Sequence, residues 1–144
     1  MKKIIYIFAF TFSMTAFAQN WSITYTEALE TAFKEDKPLI LVFSGSDWCT
    51  PCMKLNRDIW QSPVFKKYAD ERYVLYKADF PRKKSNALSA ERVTENKVLA
   101  EKYNPKGHFP LILVLDKQGR PLGKTGYQKL GPEQYISHLN TFLE

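Results

Sequence analysis

Apolar positions along this chain follow two rhythms. Leu39-Ile40-Leu41-Val42-Phe43 is apolar without interruption, as expected of a central strand covered on both faces. Residues 73–79 and 111–115 read as two further core strands, and residues 121–124 as a fourth, joined to the third through Asp116-Lys117-Gln118-Gly119. That connection predicts a hairpin, with Gly119 at the position that needs positive φ. Between the strands the period lengthens to that of a helix. Thr24 and Glu27 have capping-box spacing, and Ala28, Leu29, Ala32 and Phe33 form a stripe to about residue 34. Met53, Leu55, Ile59 and Trp60 predict a helix from Cys49 to about residue 61, and Ser62-Pro63 starts another that runs to residue 68 or 69. Residues 81–89 are polar and read as a loop. Val93, Val98, Leu99 and Tyr103 mark a helix that ends before Asn104. Gly131-Pro132 opens the last helix, whose stripe is Tyr135, Ile136, Leu139, Phe142 and Leu143. Strand, helix, strand, then a hairpin and a closing helix predict an α/β domain with a central mixed sheet and helices on both faces.

The first residues belong to a different pattern. Met1-Lys2-Lys3, an apolar stretch and Ala16-Phe17-Ala18 describe a secretory signal peptide at residues 1–18. Its apolar part, broken by Thr11, Ser13 and Thr15, is short for a bilayer span. Cleavage after Ala18 leaves residues 19–144 as one domain with one core. Removing Lys2 and Lys3 takes the formal charge from +6 to +4. Arg82-Lys83-Lys84 is the one dense basic run and reads as a solvated loop; there is no basic–aromatic repeat of the kind a nucleic-acid surface needs.

The candidate chemistry lies between the first strand and its following helix, at Trp48-Cys49-Thr50-Pro51-Cys52. These are the two cysteines of the chain, three residues apart. On a helix that spacing puts both sulfurs on one face. At a helix start, Cys49 meets unpaired N–H groups and the positive end of the dipole, which favour the nucleophilic thiolate. Cys52, one turn deeper, is placed to resolve a mixed disulfide. A structural zinc site needs four ligands, and His108 and His138 do not have the spacing to complete one. A purely structural disulfide across so short a loop constrains the unfolded chain little. One alternative stays open: a copper- or zinc-binding module that uses Cys49, Cys52 and His108.

With these residues the sequence resembles the thioredoxin-fold superfamily, over nearly all of residues 19–144. Within it, the chain is most similar to exported thioredoxin-like proteins whose motif reads Ser-Asp-Trp-Cys, with an enlarged segment, here residues 81–103, before the third helix. The resemblance implies a thiol–disulfide oxidoreductase of the cell envelope that reduces protein disulfides, with Cys49 as nucleophile and Cys52 as resolving thiol. It implies that Trp48 flanks the site and that Pro110 is cis and lies against the cysteines, so that Trp48, Phe109 and Pro110 contact the substrate. No cofactor or metal is implied. The implied partners are disulfide-containing client proteins and a membrane electron donor. The expected state is a periplasmic or secreted monomer.

Two positions depart from that family. A buried acid usually stands six residues before the nucleophile, paired with a lysine on the neighbouring strand; here those positions read Phe43 and Leu75, lost together. The proton acceptor for Cys52 is then either Asp47 or ordered water. Thr50 and Pro51 carry no charge, and Asp47 adds a negative one that should oppose the thiolate. The expected potential is therefore nearer the reducing value of about −270 mV than the oxidising extreme of about −120 mV.

Overall fold

β1 (Leu39–Ser44) is buried along its whole length and holds the sheet together. β2 (Val74–Asp79) pairs with it in parallel, β3 (Leu111–Leu115) antiparallel, and β4 (Pro121–Thr125) antiparallel to β3, giving the order β2-β1-β3-β4. This computed structural model describes residues 21–144, so the expected leader at 1–18 lies outside the described residues.

Alternation along β1 divides the core in two. Ile40 and Val42 face one side with Leu55, Trp60 and Ile112. Leu39, Leu41 and Phe43 face the other with Ala28, Ala32 and Leu113. A strand that feeds two cores must be apolar at every position, which is why its sequence does not alternate.

α1 (Tyr25–Glu35) is capped as expected, with Thr24 Oγ1 accepting from the Glu27 amide at 3.1 Å. The Glu27 carboxylate, however, accepts from Ile23 N, also at 3.1 Å, and not from the Thr24 amide. Of the predicted stripe, Ala28 and Ala32 carry the contact, while Phe33 is 64% exposed. Two alanines one turn apart form the line of contact, and the next residue after Ala32 is rotated about 100° away from it.

α2 (Thr50–Leu55) does not run on as a uniform helix to residue 61. It widens into a π turn at Asn56–Trp60, and this turns both Ile59 and Trp60 fully into the core. α3 (Pro63–Arg72) begins with the predicted Ser62 cap and extends three residues past its expected end. A single 3-10 turn, Lys84–Asn86, interrupts the loop that follows β2. α4 (Ala90–Tyr103) buries Asn96 and Leu99, whereas the expected Val93 and Val98 are largely exposed. α5 (Pro132–Asn140) packs through Tyr135, Ile136 and Leu139; Phe142 and Leu143 lie beyond its end, and Leu143 is exposed. Gly119, at φ 79°, closes the β3–β4 hairpin as predicted. No helix among the described residues is long and apolar enough to cross a membrane.

Candidate active site

The parallel strands β1 and β2 end side by side, and their ends build the loop that carries the cysteines. Phe80 N donates to Ser44 O at 2.8 Å. The Asp79 carboxylate accepts from Ser46 N at 2.9 Å and from Ser46 Oγ at 2.5 Å. Gly45 O then accepts from Trp48 N and Cys49 N, closing a tight turn. From this turn Cys49 enters α2 not as its first helical residue but as its N-cap, in extended conformation. Its sulfur accepts from the Cys52 amide at 3.3 Å, the place a capping oxygen usually takes. Cys49 and Cys52 are joined in a disulfide, their Cα atoms 5.2 Å apart. Pro51 occupies the first turn, where its missing N–H leaves no bond unmade. The two cysteines are 4% and 3% exposed, so access does not separate them in this oxidised state; the N-cap position does.

An aromatic platform is built on Trp48, the residue before Cys49. The Trp48 indole donates to Phe80 O at 2.7 Å. Its ring lies so close over Gly45 that a Cβ there would come within 2.2 Å of a ring carbon. Phe109 meets the Trp48 ring edge-on with centroids 5.3 Å apart, and Phe80 meets Phe109 at 5.6 Å. The Phe109–Pro110 peptide bond is cis. The structure thus brings Trp48 and Phe109 into contact and places Pro110 at the edge of that cluster. It adds Phe80, which the sequence reading passed over as the residue after a strand.

Asp47 has a structural role that the sequence reading did not foresee. Its carboxylate accepts from Arg82 N, Lys83 N and Asn86 Nδ2, each at 2.9 Å. The Arg82 amide bond first, then the Asn86 side chain, lower its pKa to about 2. Both oxygens are bound by donors of the 82–86 loop. The same contacts correct the reading of Arg82-Lys83-Lys84 as a merely solvated run. Two of its amides hold Asp47, and the Arg82 guanidinium stacks 4.0 Å from the Trp48 ring centroid. A basic run three residues beyond a strand end, together with an aspartate two residues before the first cysteine, was the signal available in the sequence.

Phe43 and Leu75 do not form an apolar replacement for a facing pair. In the register Phe43 stands opposite Ala78 and Leu75 opposite Ile40, and the two belong to different cores. Alternation along the strands sends them to opposite faces of the sheet. The His108 backbone is held by the Asn104 side chain through bonds of 2.8 and 2.9 Å. Among the described residues no three His, Cys, Asp or Glu side chains cluster as a metal site.

A family model described as Thioredoxin-like matches residues 20–117. The chain belongs to the thioredoxin-like family. It is 35% identical to a Chlamydia pneumoniae protein described as disulfide bond reductase DsbH, over 84% of this chain and 71% of that one. It is 27% identical to the thioredoxin-related protein DsbJ of the same organism, over 74% of this chain and 30% of that longer protein. A solved structure of a DsbH oxidoreductase superposes with a TM-score of 0.79 at 34% identity, covering 86% of this chain and 83% of the other. A thioredoxin from Thermus thermophilus shares the fold, with a TM-score of 0.64 at 16% identity and 88% of each chain covered. With its bonded Cys-x-x-Cys pair, this thioredoxin-like protein is a thiol–disulfide oxidoreductase.

Proposed function

We propose that the protein is an exported reductant of protein disulfides, in which Cys49 attacks and Cys52 resolves. The observation that carries this reading is the Cys49 sulfur in the N-cap position of α2, with the Cys52 N–H directed at it. A negative sulfur is favoured there over a neutral one. The Cys49 thiolate attacks one sulfur of a client disulfide, whose other sulfur leaves as a thiolate and takes up a proton. Cys52 gives its proton to water and attacks the Cys49 sulfur, which releases the first client sulfur. Two electrons have then passed from the dithiol to the client, and the protein is left with the Cys49–Cys52 disulfide.

The direction of flow is supported by the relative described as a disulfide bond reductase and by the uncharged Thr50-Pro51 loop. Substrate contacts are assigned to Trp48, the residue before Cys49, and to Phe109 and Pro110, of which Phe109 packs on Trp48. The leader pattern at residues 1–18 supports a periplasmic or secreted location for a monomer of residues 19–144. Export separates the protein from cytosolic reductases, so a membrane protein that passes electrons outward is the donor this reading requires.

Reduction of insulin by the pre-reduced protein tests the assignment. Cys49→Ser should abolish it, and Cys52→Ser should accumulate a covalent adduct through Cys49. Faster alkylation of Cys52 than of Cys49 in the reduced protein would reverse the two roles.

A further inference from the structure

We propose that the face around the disulfide selects clients whose cysteines are flanked by acidic residues, and that Arg82 is a residue that sets this preference. The inference rests on the reductase reading and concerns its substrate class. Arg82 is exposed and is held at both ends of the residue: its amide is bound by Asp47, and its guanidinium lies on Trp48. Stacking fixes the position of a cation without neutralising it. Among the described residues its guanidinium makes no salt bridge, in contrast to Arg57 and Arg120, which pair with Asp58 and Asp116. Asp47 and Asp79 keep their negative charge, but their carboxylates are bound by the 82–86 and Ser46 donors, and neither forms an ion pair with the guanidinium.

The other border of the site has the same sign. Beyond Phe109, a groove of about 480 Å³ runs past Pro110 and is lined by Lys106, His108 and Lys124, with no Asp or Glu in its wall. A segment threaded through this groove and across the Trp48–Phe109 platform meets Lys106 and Lys124 at one end and Arg82 at the other. Opposite charge on the segment favours encounter and register, and like charge opposes both. The occupant that fits is an extended, cysteine-containing segment with Asp or Glu on its flanks.

Two synthetic peptides with the same internal disulfide, one flanked by glutamates and one by lysines, test this against pre-reduced wild-type protein. The second-order rate constant should be about fivefold higher for the acidic peptide at low ionic strength. That advantage should shrink as salt shortens the screening length to about 3 Å near 1 M. Arg82→Gln should lower the ratio of the two rates and Arg82→Glu should lower it further, while Lys106→Gln/Lys124→Gln should lower it independently. Because the preference is read within wild-type protein, a variant that fails to fold does not remove the test. Equal rates for the two peptides, or a preference unaffected by salt, would overturn the inference and leave the reductase reading standing. Failure to reduce either peptide or hydroxyethyl disulfide would overturn the reductase reading and this inference with it.

Discussion

Gly45 and Asp47 shape the site without touching the sulfurs. Because the Trp48 ring occupies the space where a Cβ would stand, Gly45→Ala must displace the indole and break its bond to Phe80 O. Overpacking of this kind costs about 1–3 kcal/mol. The expected outcome is a lower melting temperature together with a shifted Trp48 indole N–H resonance; an unmoved resonance would show that the ring does not rest on Gly45. Asp47 gives a pH dependence with a definite sign. Its folded pKa of about 2 lies below the usual value of about 3.9 for an unfolded aspartate. Its anchoring of the loop is therefore complete above about pH 4 and is lost as the pH falls toward 2. The Trp48 indole resonance should report loop release in that window in wild-type protein, and Asp47→Asn should abolish the step. The cysteine pair was legible in the sequence because its chemistry depends on a separation of three residues. Asp47 and Arg82 were not, because the bonds that define their roles join positions 35 and 36 residues apart.

Helix α4 shows how a polar residue can dock an element. Asn96 is fully buried; its Nδ2 donates to Asp79 O at 3.0 Å and its Oδ1 accepts from the Tyr76 hydroxyl at 2.8 Å. The neighbouring Glu95 carboxylate lies within bonding distance of the same hydroxyl and accepts from Tyr25 N, so α4, β2 and the start of α1 are tied together. Asn96→Ala takes this donor from the Asp79 carbonyl and leaves the Tyr76 hydroxyl with Glu95 alone, a loss of about 1–3 kcal/mol. Urea unfolding should register that loss, and an unchanged midpoint would show that the network is dispensable. Apolar periodicity alone found this helix but picked Val93 and Val98 for its inner face, since a count of apolar residues gives no weight to an asparagine. The same kind of reading passed over the π turn at Asn56–Trp60. Ile59 and Trp60 fit a helical stripe nearly as well with or without the extra residue in the turn, and only packing against the sheet decides. The strands were easier to read, because β1 and β3 are buried at every position and therefore apolar at every position.

Taken as a whole, the chain sets one loop, at the ends of two parallel strands, against a second loop inserted after β2. Asp79 holds the first loop through Ser46, and Asp47 holds the second to the first. Asp47, expected to oppose the Cys49 thiolate, is fixed by three N–H donors of the inserted loop and keeps its negative charge at neutral pH. The reducing assignment rests on that charge, on the neutral Thr50-Pro51 segment, which adds no cation between the cysteines, and on the DsbH relative. Equilibration of the protein against a graded glutathione buffer, with the Cys49–Cys52 disulfide quantified at each step, tests that direction most directly. Reduction of client disulfides predicts a potential near the thioredoxin value of about −270 mV, where each 30 mV or so corresponds to about 1.4 kcal/mol. A potential close to the oxidising extreme of about −120 mV would contradict it, because the protein would then donate its disulfide to clients rather than remove theirs.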